Sequence, residues 1–352
     1  MSQSVRMKSL LTASERNCLD GIILAMRRAQ QCKVPIKDRD QCLNELRDSR
    51  MSNEELVQKI LKLKKERDAI ILAHNYQIGE VQDIADYTGD SLGLSLEAAK
   101  TTAKVIIFCG VKFMAETAAI LNPESAVLLA HPTACCPMAD MIDVNDLKEW
   151  KERYPKATVV AYVNTTAAVK ADSDICCTSA NGVKVVESVP NHEILFIPDK
   201  HLGHYISTKT KKRMILYPGY CITHVRLTAD QVKLAKQRYP EAKVLVHPEC
   251  RAEVIELADA ALSTSQMIRY ARENPATTFL IGTEEGILHR MRKEHPNKNF
   301  YLLASSLICP NMKKTRLETV IETMEFKHNR VMVPEEVRLK AKQALDRMLA
   351  IV

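Results

Sequence analysis

From Ile70 onward, short uninterrupted apolar runs punctuate the chain near 70–73, 105–108, 126–130, 158–163, 194–197, 214–217, 243–246, 278–281 and 301–304. None alternates apolar with polar positions, so each predicts a strand of a parallel sheet covered on both faces. Helical patterns lie between them, which predicts α/β units. The nine strands form three groups of three, spaced by roughly 35 and then roughly 20 residues within each group. Ser52 and Glu55 form a capping-box pattern that opens a helix through Arg67, with Leu56, Ile60 and Leu63 on one face. The stretch from Pro334 to Leu349 is an amphipathic helix with acids in its first turn, expected to pack back on the first group.

The grouping reflects a repeat. Lys151-Glu152-Arg153-Tyr154-Pro155 leads to a run ending at Tyr162, and Lys236-Gln237-Arg238-Tyr239-Pro240 leads to one ending at His247 (247 − 162 = 85). A degenerate copy, Lys65-Glu66-Arg67, leads to His74 (162 − 74 = 88). Ser91, Ser179 and Thr264 recur at the same offsets, 88 and 85, each at an expected helix start. They are either simple N-caps or, with helix N-termini facing one centre, an anion site. The repeat predicts an α/β protein of three similar three-layer αβα domains with short parallel sheets, related by pseudo-threefold symmetry around a central site. Its boundaries would be an extension at 1–51, helical or mobile; a first unit at 52–131, joined by the C-terminal helix of 328–352; a second at 132–218; and a third at 219–327. The extension, with a helical pattern at 14–31 and a charged run to Arg50, is either an appendage or an oligomer contact.

Composition narrows the class. The 352 residues are 46% hydrophobic and 26% charged, an ordinary globular balance. A formal charge of +7 suits small anionic substrates, and no basic run is interleaved with aromatics as nucleic-acid binding requires. No apolar run reaches the ~20 residues of a membrane span, and no signal-peptide pattern opens the chain, so it reads as cytoplasmic. Eleven cysteines in such a chain are not a disulfide framework. With ten glycines there is neither a P-loop nor a dinucleotide fingerprint.

Three cysteines keep the repeat's phase, each just past an apolar run: Cys136, Cys221 and Cys309 (221 − 136 = 85; 309 − 221 = 88). Cys135 competes with Cys136, although the Cys136-Pro137 and Cys309-Pro310 pairs favour the latter. One thiolate from each unit could hold zinc or an iron–sulfur cluster. Cys250 is a candidate fourth ligand, whereas Cys176 and Cys177 read as core. Polar residues crowd the strand ends, where ligands bind open α/β sheets: His74 and Tyr76, Glu116, Tyr162 and Asn164, Asp199-Lys200-His201, His247 and Glu249, and Glu284-Glu285. An alternative of another class is a binding protein that senses dicarboxylates and holds zinc.

The order of motifs resembles the quinolinate synthase family: Ala73-His74-Asn75-Tyr76, Gly89-Asp90-Ser91-Leu92, Cys136-Pro137-Met138-Ala139-Asp140, Tyr162-Val163-Asn164-Thr165, Pro198-Asp199-Lys200-His201, Gly219-Tyr220-Cys221, His247-Pro248-Glu249-Cys250 and Cys309-Pro310-Asn311-Met312. The resemblance runs from about Ala69 to Val352. It implies condensation of iminoaspartate with dihydroxyacetone phosphate to quinolinate, with loss of phosphate and water, in de novo NAD biosynthesis. It implies one [4Fe-4S] cluster per chain on Cys136, Cys221 and Cys309, whose open iron acts as a Lewis acid. It implies proton transfer by Tyr76 and Glu249 with His224 beside them. Substrate binding falls to His74, Ser91, Tyr162, Asn164, Ser179, His247 and Thr264. Functional coupling to L-aspartate oxidase, the source of iminoaspartate, is left open. The additional Cys-x-x-Cys-x-x-Cys of some family members is absent around Cys309, and the first 51 residues exceed the resemblance.

Overall fold

The computed structural model describes residues 51–351, and the expected extension lies outside them except for Met51. Among the described residues, twelve strands form three four-stranded sheets. The first contains β1 (Ala69–His74), β2 (Tyr87–Gly89), β3 (Val105–Cys109) and β4 (Ala126–Leu129), in the order β2-β1-β3-β4. The second contains β5 (Thr158–Tyr162), β6 (Ile175–Cys177), β7 (Glu193–Ile197) and β8 (Arg213–Leu216), ordered β6-β5-β7-β8. The third contains β9 (Lys243–Val246), β10 (Ala260–Ala261), β11 (Thr278–Gly282) and β12 (Asn299–Leu302), ordered β10-β9-β11-β12. Every pairing between these strands is parallel. The fold is therefore three similar αβα layers, each sheet covered on both faces, and strands such as β3 are buried at every position.

The nine expected strands are all present, and each sheet gains a short edge strand. β2, β6 and β10 have two or three residues, too few to register as an apolar period. They matter because they run directly into Ser91, Ser179 and Thr264. An aspartate just ahead of each edge strand ties it to the strand beside it. Asp86 Oδ2 accepts from Ile71 N, Asp174 Oδ2 from Val159 N and Asp259 Oδ2 from Val244 N, each at 2.8 Å. These positions repeat at 88 and 85 residues, the offsets of the sequence repeat.

Helices start eight residues after each phased cysteine: Val144–Arg153 and Ala229–Arg238 behind capping boxes at Asp143 and Thr228, and Leu317–Phe326 behind Arg316, whose backbone N–H donates to Thr319 Oγ1. Two helices depart from the simplest reading of the repeat. Leu317–Phe326 packs on Asn53–Arg67, burying Val320 and Met324 with Ile60 over the first sheet. The C-terminal helix Glu335–Leu349 lies mainly on Ala167–Ala171 and β6 of the second sheet, with a smaller contact to Lys112–Leu121, rather than chiefly on the first unit. Its buried face of Ala341, Ala344, Leu345 and Met348 joins the core shared by the first two sheets. Among the described residues, no helix is long and apolar enough to cross a membrane.

Candidate active site

The carboxyl ends of the strands converge on one cavity of about 720 Å³ of empty space, its open mouth included. In each sheet the strands deliver residues by role. β1 delivers His74 and Tyr76, β5 delivers Tyr162 and Asn164, and β9 delivers His247 and Glu249. The edge strands deliver Ser91, Ser179 and Thr264, and the loops after β4, β8 and β12 deliver Cys136, Cys221 and Cys309. All of these, with His224, line the same cavity. All thirteen site residues expected from the sequence are thus brought together.

The hydroxyls do not cap their helices. Asp90 caps the helix starting at Ser91, accepting from Gly93 N, and Ser263 caps the one starting at Thr264. Asn181 stands at the N-cap of Gly182–Ser188. Ser91, Ser179 and Thr264 are therefore free to face the cavity. Asn75 Nδ2 donates to Thr264 Oγ1 at 2.8 Å, which leaves the threonine proton available to an anion. Asn164 Oδ1 is buried in the wall without a hydrogen-bond partner. An orphaned polar atom in such a cavity marks a place where a ligand completes the bonding.

Glu249 is the electrostatic centre. Its Oε2 lies 2.7 Å from His224 Nδ1, and both side chains are almost fully buried. Burial alone would raise its pKa. The nearby His247 and His224, with hydrogen bonds from His224 and Tyr162, outweigh burial and hold the carboxyl well below the usual range. Burial, reinforced by the Glu249 charge, pushes the phenols of Tyr76 and Tyr162 well above the ordinary tyrosine value. The two strand-end histidines match. Tyr76 N donates to His74 Nδ1 at 3.2 Å, and Glu249 N donates to His247 Nδ1 at 3.3 Å. Each ring thus keeps its proton on Nε2, and that of His247 faces Ser179 Oγ at 3.2 Å. Burial lowers their pKa values to about 4 for His74 and about 3 for His247, so both are neutral donors at physiological pH.

A family model described as quinolinate synthetase A protein matches residues 58–350. The chain belongs to this family. A quinolinate synthase from Geotalea uraniireducens is 56% identical over 301 residues, covering 86% of this chain and 99% of that protein. One from Dehalococcoides mccartyi is 53% identical over 302 residues, with 86% and 100% covered. One from Methanosarcina barkeri is 51% identical over 301 residues, with 86% and 99% covered. The quinolinate synthetase A family is a family of enzymes, so the cavity is read as an active site.

The thiols fit an inorganic centre of the kind the family resemblance implies. Cys136, Cys221 and Cys309 are free and half-buried. Burial raises all three pKa values, that of Cys136 to about 12, and the charge of Cys309 acts on Cys136 as that of Cys136 acts on Cys221. Three such thiols ionise together only against a positive centre. Backbone N–H groups meet each sulfur: Met138 and Ala139 at Cys136, His224 at Cys221, and Asn311 and Met312 at Cys309. Such donors favour thiolate. Cys221, His224 and Glu249 also place ligand atoms within 4.8 Å of one another. Cys135 points its sulfur toward Asn311 Oδ1 at 3.8 Å. Cys250 is fully buried, donates to Gly282 O at 3.5 Å and lies off the cavity wall, so it is no fourth ligand. Cys176 and Cys177 are core residues.

Several contributors had no role assigned from the sequence, although Asp199 and Glu284 stand among its polar strand-end residues. Asp199 Oδ2 accepts from Cys221 N at 3.2 Å, and Glu284 Oε1 accepts from Cys309 N at 3.0 Å. Each stands two residues past the third strand of its sheet, where the first sheet has Val111. Lys313 Nζ is 2.9 Å from Glu284 and donates to Tyr76 O at 2.8 Å. Thr283, fully buried, has its Oγ1 2.6 Å from Tyr76 Oη and 2.8 Å from His224 Nε2. A single Thr or Asp at a strand end carries no periodic signal. Asp199 and Glu284 were flagged by their place at a strand end, and their shared repeat phase (284 − 199 = 85) was the signal for a shared role.

Proposed function

We propose that this chain condenses iminoaspartate with dihydroxyacetone phosphate to quinolinate, releasing one phosphate and two waters, in de novo NAD biosynthesis. The observation that carries the reading is the sharing of one cavity wall by the three phased thiols, the Glu249–His224 pair and Tyr76. Cys136, Cys221 and Cys309 are the residues that would hold a [4Fe-4S] cluster. When bound with three protein ligands, such a cluster supplies a Lewis acid at its remaining iron.

The chain's own residues do the rest. The Nε2–H groups of His74 and His247, and the hydroxyls of Ser91, Ser179 and Thr264, are fixed donors for the carboxylates and the phosphate. Asn164 uses its unsatisfied oxygen to orient an N–H or O–H of a reactant. Tyr76 keeps its proton and acts as an acid at Oη. Glu249 is anionic in the free protein and is therefore the available acceptor. Anionic substrates bound beside it raise its pKa toward the range of an effective base. Two losses of water and one of phosphate each require a proton delivered to a leaving oxygen, and these two groups stand ready on the wall.

The test is anaerobic purification, iron and sulfide analysis, and quinolinate formation from the two substrates. Iron and sulfide in about equal amounts with quinolinate formed supports the reading. Zinc without sulfide, or a protein with cluster and no turnover, refutes it.

A further inference from the structure

Thr264 and Arg290 belong to the third sheet's unit, and both grip one amide of the first, that of Asn75. We propose that Arg290 is a positioning residue for substrate binding. By fixing which way the Asn75 amide points, it makes Thr264 an obligatory hydrogen-bond donor, and so a seat for an oxyanion, a carboxylate or phosphate oxygen of a substrate. This deepens the function proposed above and rests on it.

Donors and acceptors decide the orientation. Arg290 stands in the helix Ile287–Glu294. Its Nη1 donates to Asn75 Oδ1 at 3.1 Å and also to Thr88 O, while its Nε donates to Glu294. A guanidinium has donors and no acceptor, so the end of the amide it meets must be the oxygen. The NH2 end then faces Thr264 Oγ1 at 2.8 Å and can only donate to it. Asn75 is fully buried, and its backbone is pinned as well: its N donates to Gly89 O at 3.0 Å and its O accepts from Gln82 Nε2 at 3.3 Å. The amide therefore has two settings, related by a half-turn, and Arg290 permits one. Thr264 Oγ1 accepts from Asn75 and has no other hydrogen-bond partner among the described residues. Its single proton is left for the cavity that it lines.

Turned over, the same amide would offer Oδ1 to Thr264. The hydroxyl would then donate backwards and show the cavity only lone pairs, which repel an anion. His247 treats Ser179 as Asn75 treats Thr264, its Nε2–H meeting the serine oxygen at 3.2 Å. Two of the three phased hydroxyls are thus donated to by the protein, and both keep their protons for a ligand. Arg290 is not on the cavity wall, so it reaches a substrate only through Asn75. The plainer alternative is that Arg290 merely clamps the third unit to the first through Thr88 O.

The experiment compares anaerobically purified parent, Arg290→Met, Arg290→Lys and Asn75→Asp proteins, each with iron, sulfide and melting temperature measured. Inorganic phosphate and quinolinate are titrated into each by calorimetry, and quinolinate formation is followed beside them. Methionine keeps the stem and removes the donors, whereas lysine keeps a donor for Oδ1. Aspartate keeps the contact with Arg290 but offers Thr264 an acceptor, so the threonine proton is drawn back. The expected result is that methionine and aspartate each weaken the same one of the two ligands by about tenfold or more. The other ligand stays within about twofold, kcat and iron stay within about threefold, and lysine restores binding to within about threefold of the parent. The ligand affected tells whether Thr264 seats a carboxylate or the phosphate. Both affinities within about twofold of the parent in the methionine variant, or a lysine variant as impaired as methionine, overturn the inference. Equal weakening of both ligands with a lower melting temperature overturns it too, since Arg290 would then be only a clamp. Should the methionine variant fail to fold, unchanged binding by Asn75→Asp overturns the inference and selective weakening supports it. A parent with cluster that forms no quinolinate fails the underlying function, while the titrations, which need no turnover, still decide this inference. A parent that binds neither ligand overturns it.

Discussion

Glu249 Oε2 and His224 Nδ1 stand 2.7 Å apart, with the two side chains 4% and 2% exposed. His224 in turn faces the sulfur of Cys221 at 3.1 Å, so one carboxylate orients a ring that touches both the thiol wall and Thr283. Replacing Glu249 by Gln keeps the shape and removes the charge that fixes the ring. Glu249→Gln is expected to fold with a melting temperature near that of the parent and to lose about 10²- to 10⁴-fold in kcat. Steady-state kinetics beside a thermal melt checks it, and near-normal turnover removes Glu249 from the acid–base machinery.

A second prediction concerns the carboxylates behind the thiols. Glu284 accepts from Cys309 N and Gly286 N and meets Lys313, so both oxygens are in use. Gln in its place turns one acceptor into a donor that faces another N–H. Substituting groups that orient metal ligands costs ~10- to 100-fold in metal affinity. Glu284→Gln is therefore expected to release iron faster to a chelator than the parent, with the secondary structure unchanged by circular dichroism. The same holds for Asp199→Asn at Cys221. Equal release rates in all three proteins would show that the backbone alone holds these cysteines.

Much of this was readable from the chain because the fold is triplicated. His74, Tyr162 and His247 declared themselves by phase, and so did Cys136, Cys221 and Cys309, since a repeat converts sequence distance into spatial equivalence. What escaped was whatever breaks phase or lacks a period. The edge strands are too short to show one. Thr283 has no counterpart in the motif set; Ser179 was found by phase, and only its place, three residues before its helix rather than at the helix start, was not. The C-terminal helix was legible as amphipathic, yet its partner was not, because an apolar stripe records that a face is buried without saying against what.

Gly286 supports the third prediction. A Cβ built there would lie 2.6 Å from the carbonyl carbon of Tyr76 and 2.7 Å from Gln77 O, both backbone atoms. Gln82 Nε2 and Lys313 Nζ tie the same stretch down from other sides, donating to Gln77 O and Tyr76 O at 2.8 Å each. The loop has no slack to retreat. Gly286→Ala is expected to cost ~1–3 kcal/mol in stability and to lower kcat more than it raises KM, because Tyr76 moves off its contact with Thr283. Denaturant unfolding and kinetics on one preparation check both parts. An alanine variant of parental stability and rate would mean that the loop yields.

The last prediction is a pH dependence of stability. His74 titrates at about 4 in the folded protein and His247 at about 3, both lowered first by burial, against an ordinary value of 6.5. Below 6.5 the unfolded chain binds protons that the folded cavity refuses. The unfolded state then holds more protons, so stability falls as pH drops from 6.5 toward the folded values and is flat with respect to these groups above about 7.5. Between pH 7.5 and 5.5 each histidine costs about 1.4 kcal/mol. His74→Gln removes one of the two contributions and is expected to roughly halve this part of the slope. Unfolding midpoints in denaturant at the two pH values, for parent and variant, measure it. Identical slopes would mean that His74 accepts its proton in the folded state as readily as in the unfolded chain, contrary to its burial beneath Tyr76.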